Sequence, residues 1–254
     1  MDENCVRPAQ PEPTPSLDRI SSAQSSENLI LFSSEDGVYR ITLNRPNKRN
    51  AINTEMAIQF EKACARLSQQ GATTCIIDAA GETFTAGADT SDPQMSAAFA
   101  RFYNALATTP VIWIACVSGG IVGAGVAIVA IAPVVVAGPD TWASLPEIKQ
   151  IGRFPTGVVE KAGPYVDRRW LISLALSGEK SNLLQCIAGG LITDAVERGL
   201  EHATAVAWAG KLAKCNSDTV SGFRSAWMSH TRVELPKRDH PIGAQKVGSE
   251  AKDE

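Results

Sequence analysis

Residues 102–139 contain no charged side chain, although charged residues make up 20% of the chain. A membrane-spanning helix needs only about 20 apolar residues, so the length of this run alone is compatible with a span. The internal order of the run, however, is not compatible with a span. A β-branched and aromatic segment is followed by a glycine turn, a helix of small residues and a second β-branched segment, at residues 111–117, 118–120, 123–132 and 133–137. This order predicts a buried strand–turn–helix–strand unit, and we expect no membrane partner.

The remainder of the chain also alternates between strand and helix patterns. Strand patterns cover residues 29–32, 38–43, 74–77 and 189–193. Helix patterns cover residues 55–67, 97–106, 167–176, 201–212 and 219–230, with Asn53 as a plausible N-cap of the first. Alternation of this kind predicts an α/β fold with parallel crossovers, which becomes nearly all-helical towards its end.

Composition divides the chain into four regions. Residues 1–28 are polar and have no apolar signal-peptide segment, so we predict a disordered leader. Residues 29–195 form the predicted α/β core, and residues 196–233 the predicted C-terminal helical region. Residues 234–254 are a polar, charged tail.

Charge and cysteine usage exclude several classes of function. The net charge of −3 and the pI near 5.7 give no support for nucleic-acid binding. The six cysteines are scattered and form no C-x-x-C pair, which is typical of a reduced, cytoplasmic protein. The three histidines have no metal-ligand spacing, so we expect no metal site.

Three segments contain the residue types that chemistry needs. In the first, residues 84–89 (Phe-Thr-Ala-Gly-Ala-Asp) follow a buried strand, and small residues there let a ligand oxygen approach the N–H of Ala88. An ordinary small-residue loop is the alternative, and this segment alone does not decide between them.

The second segment, residues 117–125, leaves a strand and opens a helix. A helix N-terminus has unpaired N–H groups and a positive dipole end, which stabilise developing negative charge. Close helix packing through small residues explains the same pattern. A dinucleotide-binding turn is excluded, because Ser118 and Ile128 fall where its first or third glycine belongs.

The third segment is Leu145-Pro-Glu147-Ile-Lys-Gln-Ile-Gly152. In an apolar pocket the pKa of the Glu147 carboxyl would be raised, and the group could transfer a proton. An exposed loop glutamate is the equally plausible alternative.

In order and spacing, these three segments resemble the crotonase (enoyl-CoA hydratase/isomerase) superfamily. The resemblance includes Ile-Thr-Leu-Asn-Arg-Pro-x-x-x-Asn-Ala at residues 41–51 and Gly-Gly-Leu-Ile at residues 189–192, and it covers residues 38–230. It implies a spiral core of ββα units with C-terminal helices that mediate homotrimers or hexamers. It also implies an acyl-CoA substrate, with coenzyme A as part of that substrate and no tightly bound cofactor.

Residue by residue, the resemblance implies that the backbone N–H groups of Ala88 and Ala124 form an oxyanion hole. Ala124 occupies a position that is usually glycine in the family. Arg45, Lys48 and Ala86, with Ala88, match the region that lines the coenzyme A path. For Arg45 and Lys48, solvated loop charge remains the alternative.

One departure from the family pattern narrows the expected reaction. Hydratases of the family use two glutamates, and here Ala127 replaces the first while Glu147 matches the second. Because one carboxylate suffices to move a proton between carbons, we expect an enzyme of isomerase type. A decarboxylase or a C–C bond lyase or synthase is the first alternative. A non-catalytic binding or assembly protein is the second.

Overall fold

The computed structural model describes residues 28–229. The leader predicted for residues 1–28, apart from its last residue, lies outside the described residues. The polar tail predicted for residues 234–254 and the last residues of the helical region also lie outside them.

The described residues form nine strands and nine α-helices. The strands are β1 (Ile30–Glu35), β2 (Val38–Leu43), β3 (Thr74–Ala79), β4 (Ile112–Val117), β5 (Gly120–Val122), β6 (Val134–Ala137), β7 (Trp142–Ser144), β8 (Lys180–Asn182) and β9 (Asp194–Ala195). The helices are α1 (Thr54–Gln69), α2 (Met95–Thr108), α3 (Ala124–Ala130), α4 (Glu147–Ile151), α5 (Thr156–Ala162), α6 (Arg168–Ser177), α7 (Leu183–Ala188), α8 (Glu201–Leu212) and α9 (Ser217–Ser229).

The strands form two sheets. The larger has the order β1-β2-β3-β4-β6-β9, in which only the β1–β2 hairpin is antiparallel. The smaller sheet has the order β5-β7-β8. The predicted α/β fold with parallel crossovers is therefore confirmed. The uncharged run at residues 102–139 supplies β4, α3 and β6, as its internal order predicted, and also the short strand β5, which begins in the predicted glycine turn.

The prediction of a strand at residues 189–193 is wrong. Helix α7 is followed by a glycine turn, in which Gly190 has φ +74°, and β9 begins only at Asp194. The turn is imposed by packing, because a Cβ on Gly189 would lie 2.2 Å from the Trp170 ring. Tertiary contacts with α6 thus override the β-like sequence pattern.

The larger sheet is covered on both faces. Along β3, Cys75 and Ile77 contribute to the main hydrophobic core, whereas Ile76 joins a second cluster on the other face with Ala205 and Ala209 of α8. This alternation follows from the two-residue period of a strand, which points successive side chains to opposite faces. No helix within residues 28–229 is both long and apolar enough to cross a membrane.

The C-terminal helices pack on the same body. Helix α8 has the bounds that the sequence pattern predicted. In α9, the Arg224 guanidinium donates hydrogen bonds to the carbonyl oxygens of Ala107 and Val111, both at 2.9 Å, and Trp227 Nε1 donates to Ile131 O at 2.9 Å. These bonds hold α9 against the ends of α2 and α3. The role of these helices in trimer formation stays a prediction.

Candidate active site

Two glycine-containing segments meet beside the small sheet. One is the loop at residues 81–92 that follows β3, and the other leads from β5 into α3. Their backbones are joined by hydrogen bonds from Thr85 N to Gly120 O (3.2 Å) and from Val122 N to Thr85 O (3.0 Å). This pairing brings the first two segments identified in the sequence into direct contact.

The residue before Ala88 lies against the N–H of Ala124 at this junction. Gly87 has φ +86°, and a Cβ added to it would lie 3.0 Å from Ala124 N, so only glycine allows this approach. Ala124 is the first residue of α3, where an N–H has no partner inside the helix. Within residues 28–229, neither the N–H of Ala88 nor that of Ala124 has an acceptor. Each of these N–H groups is therefore free to donate a hydrogen bond to a ligand.

Thr85 and Asn50 hold this arrangement together, and the sequence analysis missed both roles. The Thr85 hydroxyl donates to Asn50 O (2.7 Å) and accepts from Gly87 N (3.0 Å). The buried Asn50 amide donates to the carbonyl oxygens of Ala80 and Thr83, both at 2.8 Å. The signal for Asn50 was its place in the family-like segment at residues 41–51. Its φ of +54° is a conformation that Asn adopts more readily than most residues.

The Glu147 carboxylate lies next to the residue that precedes Ala124. Its Oε1 is 2.9 Å from the position that a Cβ on Gly123 would occupy, and Gly123 has φ +54°. Its Oε2 is buried and has no hydrogen-bond partner among the described residues. Burial raises the pKa of Glu147 above its ordinary value. The structure thus brings together the three residues that the sequence placed in catalysis.

Position 127 contributes no acid–base group. Ala127 lies in α3, is fully buried and belongs to the main hydrophobic core. Asp89, in the loop at residues 81–92, is engaged by Arg45. Among the described residues, no group of three or more His, Cys, Asp or Glu side chains is placed to hold a metal ion.

An open cleft of about 750 Å³ leads to Ala88. Its lining includes Lys48 and Ala86, as the sequence analysis predicted for the coenzyme A path, and also Ser144 and Pro146, whereas Glu147 and Ala124 do not line it. We call this space the active-site cleft.

Arg45 does not line the active-site cleft. Its guanidinium lies 2.6 Å from Asp89 Oδ2 and donates to Ala51 O at 3.0 Å. Although desolvation raises the pKa of Asp89, hydrogen bonds from Ser91 and Arg45 lower it to about 2. The positive charge of Arg45 is therefore balanced within the protein, and its place on the coenzyme A path stays a prediction.

Comparison with known proteins identifies the family. The model of the family described as "Enoyl-CoA hydratase/isomerase" matches residues 33–241 of the chain. The chain belongs to the enoyl-CoA hydratase/isomerase family. This confirms the crotonase superfamily that the sequence segments predicted.

Individual enoyl-CoA hydratase/isomerase relatives carry names of both reaction types. The chain is 29% identical to the 2,3-dehydroadipyl-CoA hydratase of Escherichia coli K12, over 81% of this chain and 84% of that protein. It is 24% identical to the mitochondrial Delta(3,5)-Delta(2,4)-dienoyl-CoA isomerase of Pongo abelii, over 66% of this chain and 58% of that protein.

A solved structure of an enoyl-CoA hydratase from Mycobacterium smegmatis superimposes with a TM-score of 0.75 at 22% identity. The superposition covers 82% of this chain and 86% of the other. At this identity the likeness shows the fold alone, and it confirms the crotonase fold of the described residues.

Proposed function

We propose that this family member is an acyl-CoA isomerase in which one carboxylate, that of Glu147, moves a proton between carbons of the acyl chain. The observation that supports this best is the position of Glu147. Its partly buried carboxylate has one unpaired oxygen and lies beside Gly123, the residue that precedes the unpaired N–H of Ala124.

The reaction has two proton transfers. The thioester carbonyl oxygen accepts hydrogen bonds from the N–H groups of Ala88 and Ala124, which stabilise negative charge on that oxygen. The Glu147 carboxylate removes a proton from the α-carbon, and the electron pair of that C–H bond moves into an enolate. The protonated Glu147 then returns the proton to the γ-carbon, and the double bond moves into conjugation with the thioester. The carboxylate is regenerated, so no other reactant is consumed.

A raised pKa suits both steps. Because burial disfavours the charged carboxylate, Glu147 is a stronger base than an exposed glutamate, and its acid form persists long enough to donate. Water addition, in contrast, uses two carboxylates in this family, and Ala127 supplies none. For this reason we propose isomerisation rather than hydration, although the relatives carry both names.

The rest of the active-site cleft supports binding of the coenzyme A portion. Lys48 is exposed and lines the cleft with Ala86. We propose that this side receives coenzyme A as part of the substrate. We also propose a cytoplasmic homotrimer or hexamer. The assembly is supported by exposed apolar side chains of α6 and α7, namely Leu176, Leu184 and Ile187. Light scattering tests the oligomeric state.

The test of this function is the variant Glu147→Gln, which keeps the size of the side chain and removes its basicity. We expect acyl-CoA binding to change little and turnover of a 3-enoyl-CoA to fall at least about a hundredfold. The rate of α-proton exchange in heavy water should fall by the same factor. Glu160→Gln, at an exposed position of α5, is the matched control and should keep wild-type rates.

Each competing function predicts a different result. Wild-type turnover in Glu147→Gln would show that this carboxylate has no catalytic role. Loss of carbon dioxide or cleavage of a C–C bond, without double-bond migration, would favour the decarboxylase or lyase. Wild-type protein that binds acyl-CoA and exchanges no α-proton would favour the non-catalytic protein.

A further inference from the structure

Lys180 lies in a row of residues that crosses the small sheet along the active-site cleft. Val122 of β5 lies opposite Ser144 of β7, and Ser144 lies opposite Lys180 of β8. All three line the cleft. Since neighbouring strands are about 4.8 Å apart, Lys180 lies roughly 10 Å from Val122, which is two residues before the donor Ala124.

The ammonium group of Lys180 is held over an aromatic ring. Its Nζ is 3.9 Å from the centroid of the Trp142 ring. The ring is itself held in place, because its Cζ2 lies 2.8 Å from the position that a Cβ on Gly120 would occupy. A cation–π contact of this kind restricts the flexible lysine side chain and keeps its charge at the cleft.

The charges around the active-site cleft leave an excess of cations. Two carboxylates line it, and each has a cationic partner: Asp89 pairs with Arg45, and Glu179 with Lys149. Three cations that line the cleft have no carboxylate partner within residues 28–229, namely Lys48, Arg49 and Lys180. Lys48 and Arg49 belong to the loop after β2, whereas Lys180 lies on β8, so positive charge flanks the cleft on two different elements.

We propose that Lys180, held over Trp142, binds a second anionic group of the acyl-CoA ligand, two strands away from the segment that leads into the donor Ala124. Two parts of such a ligand supply anionic oxygens at a distance of several methylene groups. One is a carboxylate at the far end of the acyl chain, and the other is a phosphate of coenzyme A. This proposal rests on the proposed acyl-CoA function and adds a residue that selects the substrate.

The test compares four ligands and three proteins by calorimetric titration. The ligands are hexanoyl-CoA, its ω-carboxylated counterpart adipoyl-CoA, and the pantetheine thioesters of the same two acyl groups, which lack phosphates. The proteins are the wild type, Lys180→Met and the control Lys211→Met. Methionine keeps an unbranched side chain over Trp142 and removes the charge. Lys211 is a matched control because its Nζ lies 4.7 Å from the Trp208 ring on α8, and it does not line the cleft.

Removal of one charge-assisted contact is expected to weaken binding about tenfold to a hundredfold. If Lys180 binds the acyl carboxylate, Lys180→Met weakens the binding of both adipoyl thioesters and leaves the binding of both hexanoyl thioesters unchanged. If Lys180 binds a phosphate, Lys180→Met weakens the binding of both coenzyme A thioesters and leaves the binding of both pantetheine thioesters unchanged. Either pattern supports the proposal, and Lys211→Met should bind all four ligands like the wild type.

Three results would overturn the proposal. Equal affinities of Lys180→Met and the wild type for all four ligands would remove the subsite and leave the proposed function intact. An equal loss in Lys211→Met would show a general effect of charge. A wild-type protein that binds none of the four thioesters would overturn both the subsite and the acyl-CoA function.

Discussion

The Cγ2 methyl group of Thr85 occupies the space beside Gly125 where any other residue would have its Cβ. A Cβ added to Gly125 would lie only 2.5 Å from that methyl group. Thr85 belongs to the loop that contains Ala88, and Gly125 follows Ala124 in α3. The two segments that contain the proposed donors are therefore packed together through a methyl group and a glycine.

We expect Gly125→Ala to separate the two donors. The added methyl group overpacks a closed site, which costs about 1–3 kcal/mol of folding free energy. Because both N–H groups must reach one oxygen, the rate of α-proton exchange should fall at least about tenfold. Gly210→Ala is the control, since Gly210 lies in α8 with nothing within 4 Å of its added Cβ. It should be stabilised by about 1 kcal/mol and keep the wild-type rate. A normal exchange rate in Gly125→Ala would contradict the proposed geometry.

The Thr85 hydroxyl should act as a positioning group for Ala88. Thr85→Val keeps a β-branched side chain and leaves Asn50 O and Gly87 N without their buried partner. We expect a loss of about 1–3 kcal/mol in stability and a lower kcat with little change in the Kd for acyl-CoA. Thr85→Ser retains the hydroxyl but loses the Cγ2 methyl group packed against Gly125, so it should recover part of kcat. A wild-type kcat in Thr85→Val would show that the hydroxyl has no such role.

The Glu147 carboxylate should lower the folding stability of the protein at pH values at which it is ionised. Burial raises its pKa in the folded state above the ordinary value of 4.5. The protonated group therefore contributes stability that is complete below that value and is lost as the pH rises through the folded-state pKa. Glu147→Gln has no charge to bury, so its Tm should exceed that of the wild type at neutral and alkaline pH. The difference should shrink on acidification, and a difference that is independent of pH would contradict this cause.

Asp89 should have the opposite pH dependence. Its pKa in the folded state is about 2, below the ordinary value of 3.8, because hydrogen bonds from Ser91 and Arg45 outweigh desolvation. Its stabilising effect is therefore present above the ordinary pKa and is lost as the pH falls through about 2. We expect Asp89→Asn to lower Tm by several degrees at neutral pH and by progressively less in acid. Asp140→Asn, which removes the exposed pair with Arg198, should change stability by less than about 1 kcal/mol.

The local sequence pattern predicted much of the fold. Runs of β-branched and apolar residues marked the strands, and Asn53 marked the start of α1, where its side chain accepts from Met56 N. Helix α8 was predicted at its observed bounds. These features depend on residues within one or two turns of each other, so the chain encodes them locally.

The resemblance of the sequence to the family also implied Ala88, Ala124 and Glu147 as site residues, and their catalytic roles stay predictions. Tertiary structure decided how these residues meet and what surrounds them. It paired Arg45 with Asp89, 44 residues along the chain, and placed Lys180 over Trp142. It also replaced the expected strand at residues 189–193 with a turn packed on Trp170. Such contacts depend on sheet register and on which side chains share a space, and no local pattern contains that information.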